Sequence, residues 1–303
     1  MTFTNIIDPL NPTFTQALGV NNAGTVVGYG NPAIFNGFRT VPPFAPGSFS
    51  RENFPGAAGG TQVIGIGGSG ATAGFYVLTT AMPPPANTTN GFLNVGGAFT
   101  TVDQPGSVFN QLLGINHAGT TAAGYASFGD PAGMTGQQAY TYSVATQTFT
   151  SINALLPANF NSQATGVNDA GTVVGFYQND AAGDFSAFSD SAGIITSFQY
   201  PGSTSTQALG IDDQGWIVGD YLSGGVMHGF VDIGGAFGTI DPPGSTATTA
   251  NGINDAGKVV GFYLDPNGNT IGFESLVPEP ASLLLFGAGL AGLAVVRRRL
   301  RRG

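Results

Sequence analysis

The chain has 303 residues, of which only 8% are charged, while 49 are glycine and none is cysteine. Helices laced with ion pairs, disulfide frameworks and cysteine-based metal or nucleophile sites are thereby excluded. Ahead of the last 27 residues only three cations (Arg39, Arg51 and Lys258) face 16 acids, a sign of charge that repels phosphate backbones and argues against nucleic-acid binding.

The N-terminal stretch "MTFTNIIDPLNP" has neither a basic n-region nor an apolar h-region. If the protein is exported, a secretion signal is expected upstream of Met1. From here on, Val, Ile, Thr, Phe and Tyr alternate with Gly, Asn, Asp and Pro, a mixture that favours many short strands joined by tight turns.

One string returns six times. It reads "GVNNAGTVVGY" from Gly19, "GIGGSGATAGFY" from Gly65, "GINHAGTTAAGY" from Gly114, "GVNDAGTVVGFY" from Gly166, "GIDDQGWIVGDY" from Gly210 and "GINDAGKVVGFY" from Gly252. Successive spacings of 46, 49, 52, 44 and 42 residues fit propeller blades of four strands. Within the string, Asn168 suits the first position of a type I turn and Gly171 the left-handed position that closes it. The valines after the turn are apolar on consecutive positions, as in a strand covered on both faces. Upstream of the anchor lies a strand ending in Asp and a Pro turn, and downstream a short strand carrying an aromatic residue: Phe38, Phe92, Tyr140, Phe188, Phe230 or Phe273. Each unit thus has four strands, unit one beginning almost at Met1 and unit six ending at Phe273–Leu276. The expected fold is all-β, a six-bladed β-propeller over residues 1–276, with an open β-solenoid or two smaller β domains as alternatives. Units two and three depart from the pattern, the former by lacking the Asn and the latter by one extra residue before Gly124.

The pattern, with "SAF" at 186–188 and "HGF" at 228–230, resembles the bacterial HAF-type extracellular repeats. That resemblance implies an exported repeat protein of undefined activity.

Several candidates for chemistry stand against simpler readings. "GIGGSG" (65–70) imitates a dinucleotide fingerprint, but no amphipathic helix follows it. "DPNGN" (265–269) imitates the start of a calcium loop without an acid at the twelfth position, so it reads as a turn. Asp8, Asp103 and Asp241 each precede an anchor glycine by eleven residues, so in a propeller they sit on one rim and are the candidates for calcium, the alternative being that each caps its own Pro turn. Otherwise no cofactor is expected. The two histidines, His117 and His228, fall at a turn position and a strand end, and no Gly-x-Ser-x-Gly elbow occurs. Two loops, 78–90 and 126–138, break the repeat economy and would emerge on one side, where ligand contacts concentrate.

The tail changes character. Ala281 to Val296 are sixteen uncharged residues, about 24 Å as a helix, somewhat short of a roughly 30 Å hydrocarbon core that Leu300 and snorkelling arginines could complete. Gly287, Ala288, Ala291 and Gly292 would let another helix approach closely. Arg297, Arg298, Arg299, Arg301 and Arg302 place that end in the cytoplasm and the long body outside. Val277-Pro278-Glu279-Pro280, an apolar segment and an arginine cluster in that order resemble the PEP-CTERM sorting signal of Gram-negative bacteria, over residues 277–303. The resemblance implies a single transmembrane helix, processing near the Pro-Glu-Pro motif by an exosortase-type membrane enzyme, and a link to exopolysaccharide and biofilm. The expected function is therefore non-enzymatic: an exported protein, anchored through its tail until processed, then associated with the cell surface or extracellular matrix through exopolysaccharide or surface proteins. The alternatives are a carbohydrate-active hydrolase or lyase using rim carboxylates and a calcium-dependent adhesin.

Overall fold

The computed structural model describes residues 1–81, 87–152, 156, 161–178 and 183–278. These form six four-stranded antiparallel sheets and no α-helix, only a short 3-10 turn at Pro46–Ser48. The innermost strands are Thr15–Val20, Gly60–Ile66, Phe109–Ile115, Ser162–Val167, Ser205–Ile211 and Ala247–Ile253. Each contacts the next, and the last contacts the first, so the sheets close as blades 1 to 6 around a central channel. The propeller expectation holds.

The anchor string folds as the sequence dictates. In blade 4 the Gly171 N–H donates to Asn168 O at 3.0 Å, and the Asn168 side-chain oxygen accepts the Thr172 N–H at 2.9 Å. Gly171 has φ +80°, and the five equivalent glycines lie between +72° and +84°, a region where a Cβ meets steric opposition. The extra residue of unit three is absorbed here: Asn116 Oδ1 accepts both the Thr120 and the Thr121 N–H, at 2.8 and 2.9 Å. "GIGGSG" is the same hairpin, with Gly70 at φ +84°, and Asp265 closes its own turn by accepting the N–H of Asn267 and Asn269.

Every innermost strand carries a bulge one residue before its anchor glycine, between Ala164 and Gly166 in blade 4 and at the matching place in the other five. A bulge leaves one residue outside the ladder and re-aims it. The second strands are buried on successive positions, as expected for sheets covered on both faces. The six landmark aromatics form the core between blades, none more than 1% exposed. Phe188 lies directly over Gly175, where an added Cβ would come within 2.9 Å of the ring and 2.0 Å of Gln163 O.

Blade boundaries differ from the repeat boundaries. Phe3–Ile6 pairs with Thr270–Leu276, making the first strand of the chain the outermost strand of blade 6. The Asp-ending strand that opens each repeat thus belongs to the preceding blade, as Ala98–Val102 does in blade 2. The reading in which unit one and unit six are whole blades is corrected: the ring is sealed by interleaving its ends, which replaces an open seam by a strand ladder. Asp8, just after that first strand, is 0% exposed and accepts both Arg51 guanidinium nitrogens from the outermost strand of blade 1. Nearby, Glu52 is clamped by Arg39 at 2.8–2.9 Å and by Asn94 at 2.7 Å, tying blade 1 to blade 2.

At the other end, Val277 is buried and its N–H donates to Gly257 O at 2.9 Å, beside the blade 6 hairpin. Pro278 is exposed. Glu279, Pro280, the apolar segment and Arg297, Arg298, Arg299, Arg301 and Arg302 lie outside the described residues, and so does the expected transmembrane helix. Among the described residues no helix is long and apolar enough to cross a membrane.

Candidate functional site: the two mouths of the central channel

The six bulge residues, Leu18, Ile64, Leu113, Thr165, Leu209 and Asn251, meet in the channel and form the shared floor of two cavities. The hairpin-side cavity, about 80 Å³, is rimmed by Asn22, His117, Asp213 and Asp255, each the residue after a turn Asn or its equivalent. These side chains clasp each blade to the next: Asp213 Oδ1 accepts the Asp169 N–H at 2.8 Å, Asp255 Oδ1 the Asp213 N–H at 2.9 Å, and Asn22 Oδ1 the Asp255 N–H at 3.0 Å. Asp169 in turn accepts the Ala118 N–H at 2.8 Å. Blade 2 has only Gly68 here, and the imidazole of His117 occupies the space a Cβ would take. His117 is thus an exposed mouth residue, as its turn position implies. Asp212, buried beneath this ring, is pushed up to about 6 by desolvation, with Asp255 and Asp213 adding to the rise against two backbone donors. This mouth is a carboxylate-to-backbone clasp with little free volume.

The opposite mouth encloses about 360 Å³. Its rim is set three residues before each anchor glycine, where Gln16, Gln62, Gln111, Gln163 and Gln207 recur in blades 1 to 5. Each Gln pairs in register with a residue of the second strand: Tyr29, Phe75, Tyr125, Phe176 and then Asp220. In blade 6 the pair is Thr249 with Phe262. Two more departures therefore sit beside the Asp: Thr249 in place of Gln, and Asn251 in place of the mostly apolar bulge residue. Thr165, the other polar bulge residue, spends its hydroxyl on Val174 O and Ala208 O. Asp220 is 5% exposed, and among the described residues its only donor is Thr249 Oγ1, at 3.2 Å to Oδ2. Asp220 Oδ1 and Asn251 Oδ1 are buried with no donor among the described residues. Burial pushes the Asp220 carboxyl up to about 7, the Thr249 hydroxyl opposing only in part.

The 126–138 loop reaches this same mouth. Asp130 organises it by accepting the N–H of Ala132, Met134 and Thr135 at 2.9–3.0 Å, and Gln137 at its end accepts from Gln163 Nε2 at 2.9 Å. Loop 78–90 joins the same pair of strands in blade 2, so it too lies on this face, its residues 82–86 being outside the described ones.

The three rim aspartates expected to hold calcium each have their own partners. For Asp8, burial raises the carboxyl, but Arg51, Asn11 and the Leu10 N–H together hold it below the usual range. Asp103 accepts from Ser107 at 3.0 Å within its own Pro turn, and partial burial raises its carboxyl against that bond. Asp241 lies 2.7 Å from His228 Nδ1, whose ring stacks on Tyr221. The structure does not bring the three together, and no group of three or more His, Asp or Glu able to hold a metal occurs among the described residues. The Gln rim and Asp220 were missed from sequence, although an alignment on the anchor glycines displays both.

The family model of the PEP-CTERM protein-sorting motif matches residues 276–299, which takes in the Pro-Glu-Pro stretch and Arg297, Arg298 and Arg299. No curated protein matches the chain in sequence. Among solved structures the chain is similar to TolB from Acinetobacter baumannii (TM-score 0.52, 10% identity, 83% of this chain and 63% of that one). It is also similar to puromycin hydrolase (TM-score 0.51, 14% identity, 87% of this chain and 43% of that one). The chain thus spans less than two thirds of the length of either. At these identities the likeness is one of fold, a β-propeller, and the sorting motif marks an exported protein processed at a membrane.

Proposed function

We propose that this chain is an exported, non-enzymatic binding protein of the bacterial surface or matrix, which takes a hydroxyl-rich glycan into the Gln-rimmed mouth. The observation that supports this reading is the rim itself. Five equivalent carboxamides, each able to donate and accept, surround a cavity of about 360 Å³ large enough for one or two sugar rings. Phe75, Phe176 and Phe262 offer apolar faces to C–H groups between them. Convergent polar groups on an apolar, preformed cavity are the usual composition of a small-ligand site. Asp220 is the one carboxylate among the lining residues, whereas glycoside hydrolysis by the common route needs two flanking the bond. Sorting through the PEP-CTERM motif brings the protein to an exosortase-type enzyme and then to exopolysaccharide or other surface proteins.

Full-length protein in detergent, passed over immobilised exopolysaccharide fragments, is expected to be retained. The pair Gln111→Ala and Gln207→Ala is expected to weaken retention at least tenfold. Retention indifferent to the pair would refute the mouth as the site, and release of new reducing ends would refute the non-enzymatic half of the proposal.

A further inference from the structure

Resting on that reading, we infer that the ligand carries an ammonium group, received between Asp220 and Asn251 on the blade 5–6 side of the mouth. In the other five blades the position of Asp220 is filled by Tyr29, Phe75, Tyr125, Phe176 or Phe262. The blade itself therefore has no need of a carboxylate there. A buried carboxylate is disfavoured unless it is paired or protonated, so an ionised Asp220 calls for a cation beside it.

Among the described residues the fold supplies no charged partner, only the Thr249 hydroxyl. The innermost strand of blade 5, Ser205–Ile211, and that of blade 6, Ala247–Ile253, contain no titratable side chain. On the strand of Asp220 itself, Tyr221 points to the opposite face. The third strand of blade 5, Val226–Ile233, carries His228, engaged with Asp241, and Asp232, which accepts the Gly235 N–H at its far end. Lys258, on the second strand of blade 6, is held by Glu274 at 3.2 Å.

What the mouth offers instead is a set of acceptors. Asp220 Oδ1 and Asn251 Oδ1 are both buried and without a donor among the described residues, and Thr249, shorter than the Gln of the other blades, lines the cavity with them. A group with several N–H donors and a positive charge satisfies both oxygens and neutralises the carboxylate in a desolvated site, where such bonds are strong. A divalent metal is a poorer match, since a calcium ion takes six to eight oxygens with several carboxylates among them and only one is present. The ligand class is an aminated polyol or amino-bearing saccharide. Because only the ionised carboxylate pairs with the ammonium, binding strengthens as pH rises through the Asp220 titration.

The test is isothermal titration of the full-length protein with glucamine, sorbitol and propylamine between pH 6 and 8, where alkyl ammonium groups stay charged. Glucamine is expected to bind at least tenfold more tightly than sorbitol, with affinity rising about tenfold from pH 6 to pH 8 as the ionised fraction grows. Asp220→Asn is expected to erase both differences. If that variant does not fold, the pH profile of the unaltered protein carries the test. Sorbitol binding as tightly as glucamine, with no pH dependence, overturns the ammonium inference and leaves the glycan reading standing. Propylamine equal to glucamine supports the ammonium and overturns the polyol part. Binding of none of the three overturns both.

Discussion

Replacing Arg51 by Met should weaken the seam of the ring. Asp8 follows the N-terminal strand that completes blade 6, while Arg51 ends the outermost strand of blade 1, so their ion pair joins the two ends of the cycle. The Asp8 side chain is wholly buried, whereas that of Arg51 keeps 27% of its exposure. Removing one partner of a buried pair typically destabilises by about 3–5 kcal/mol. Asn11 and the Leu10 N–H remain on the carboxylate, so the lower figure, about 3 kcal/mol, is expected. For a domain of this size that is roughly 5 °C in melting temperature. Asp8 has a folded-state pKa below its unfolded value. Its contribution is therefore full above the unfolded value of about 3.9 and is lost as pH falls through the folded one. The gap between Arg51→Met and the parent, followed by urea denaturation with tryptophan fluorescence from Trp216, should be widest at pH 5–7 and close below pH 4. A variant within about 0.5 kcal/mol of the parent at pH 7, the range of ordinary surface changes, would refute the seam argument, as would a gap that ignores pH.

Other expectations are independent of that one. Asp220, with its folded pKa raised to about 7, binds more protons folded than unfolded between pH 4 and 7, so stability should fall with rising pH across that window by up to about 1.4 kcal/mol per unit. Asp220→Asn should flatten this slope and exceed the parent in stability at pH 8; parallel denaturation profiles would contradict it. Gly171→Ala meets open space at φ +80° and should lose only about 1 kcal/mol. Gly175→Ala, four residues away, places its Cβ 2.0 Å from Gln163 O and should lose about 3 kcal/mol or more, a contrast that thermal melts can read directly. Changing Pro278, Glu279 and Pro280 together to Ala should leave unprocessed protein in the membrane fraction on immunoblots of the native host, and normal processing would count against the role of these three residues.

The repeat was legible because each blade solves the same problem with the same residues. Asn168 and Gly171 announce the turn locally, and the pairing of Phe188 with Gly175, thirteen residues apart, returns in every blade at separations of ten to eighteen residues. The permuted blade boundary was not legible, since a strand ending in Asp looks the same whichever neighbour it pairs with, and the partner of Phe3–Ile6 lies at the far end of the chain. Nor was the engagement of Asp8, whose cation sits 43 residues away on another blade. The mouth was hidden for a different reason. Attention to what recurs treats Gln16, Gln62, Gln111, Gln163 and Gln207 as polar strand positions and the variable loops as the place for ligands. The informative residues are the ones where the repeat breaks while the fold does not, namely Asp220, Thr249 and Asn251.

The attachment of Val277 to Gly257 fixes a direction. Leu276 pairs with Lys258, the first residue after the blade 6 hairpin, so the described chain ends on the hairpin face, at residues where the match to the sorting motif begins. The last described residues therefore lie on the side of the Asp-lined clasp. The Gln-rimmed opening and the loop at 126–138 face the opposite way, so the two ends of the channel differ in whether the chain's exit crowds them.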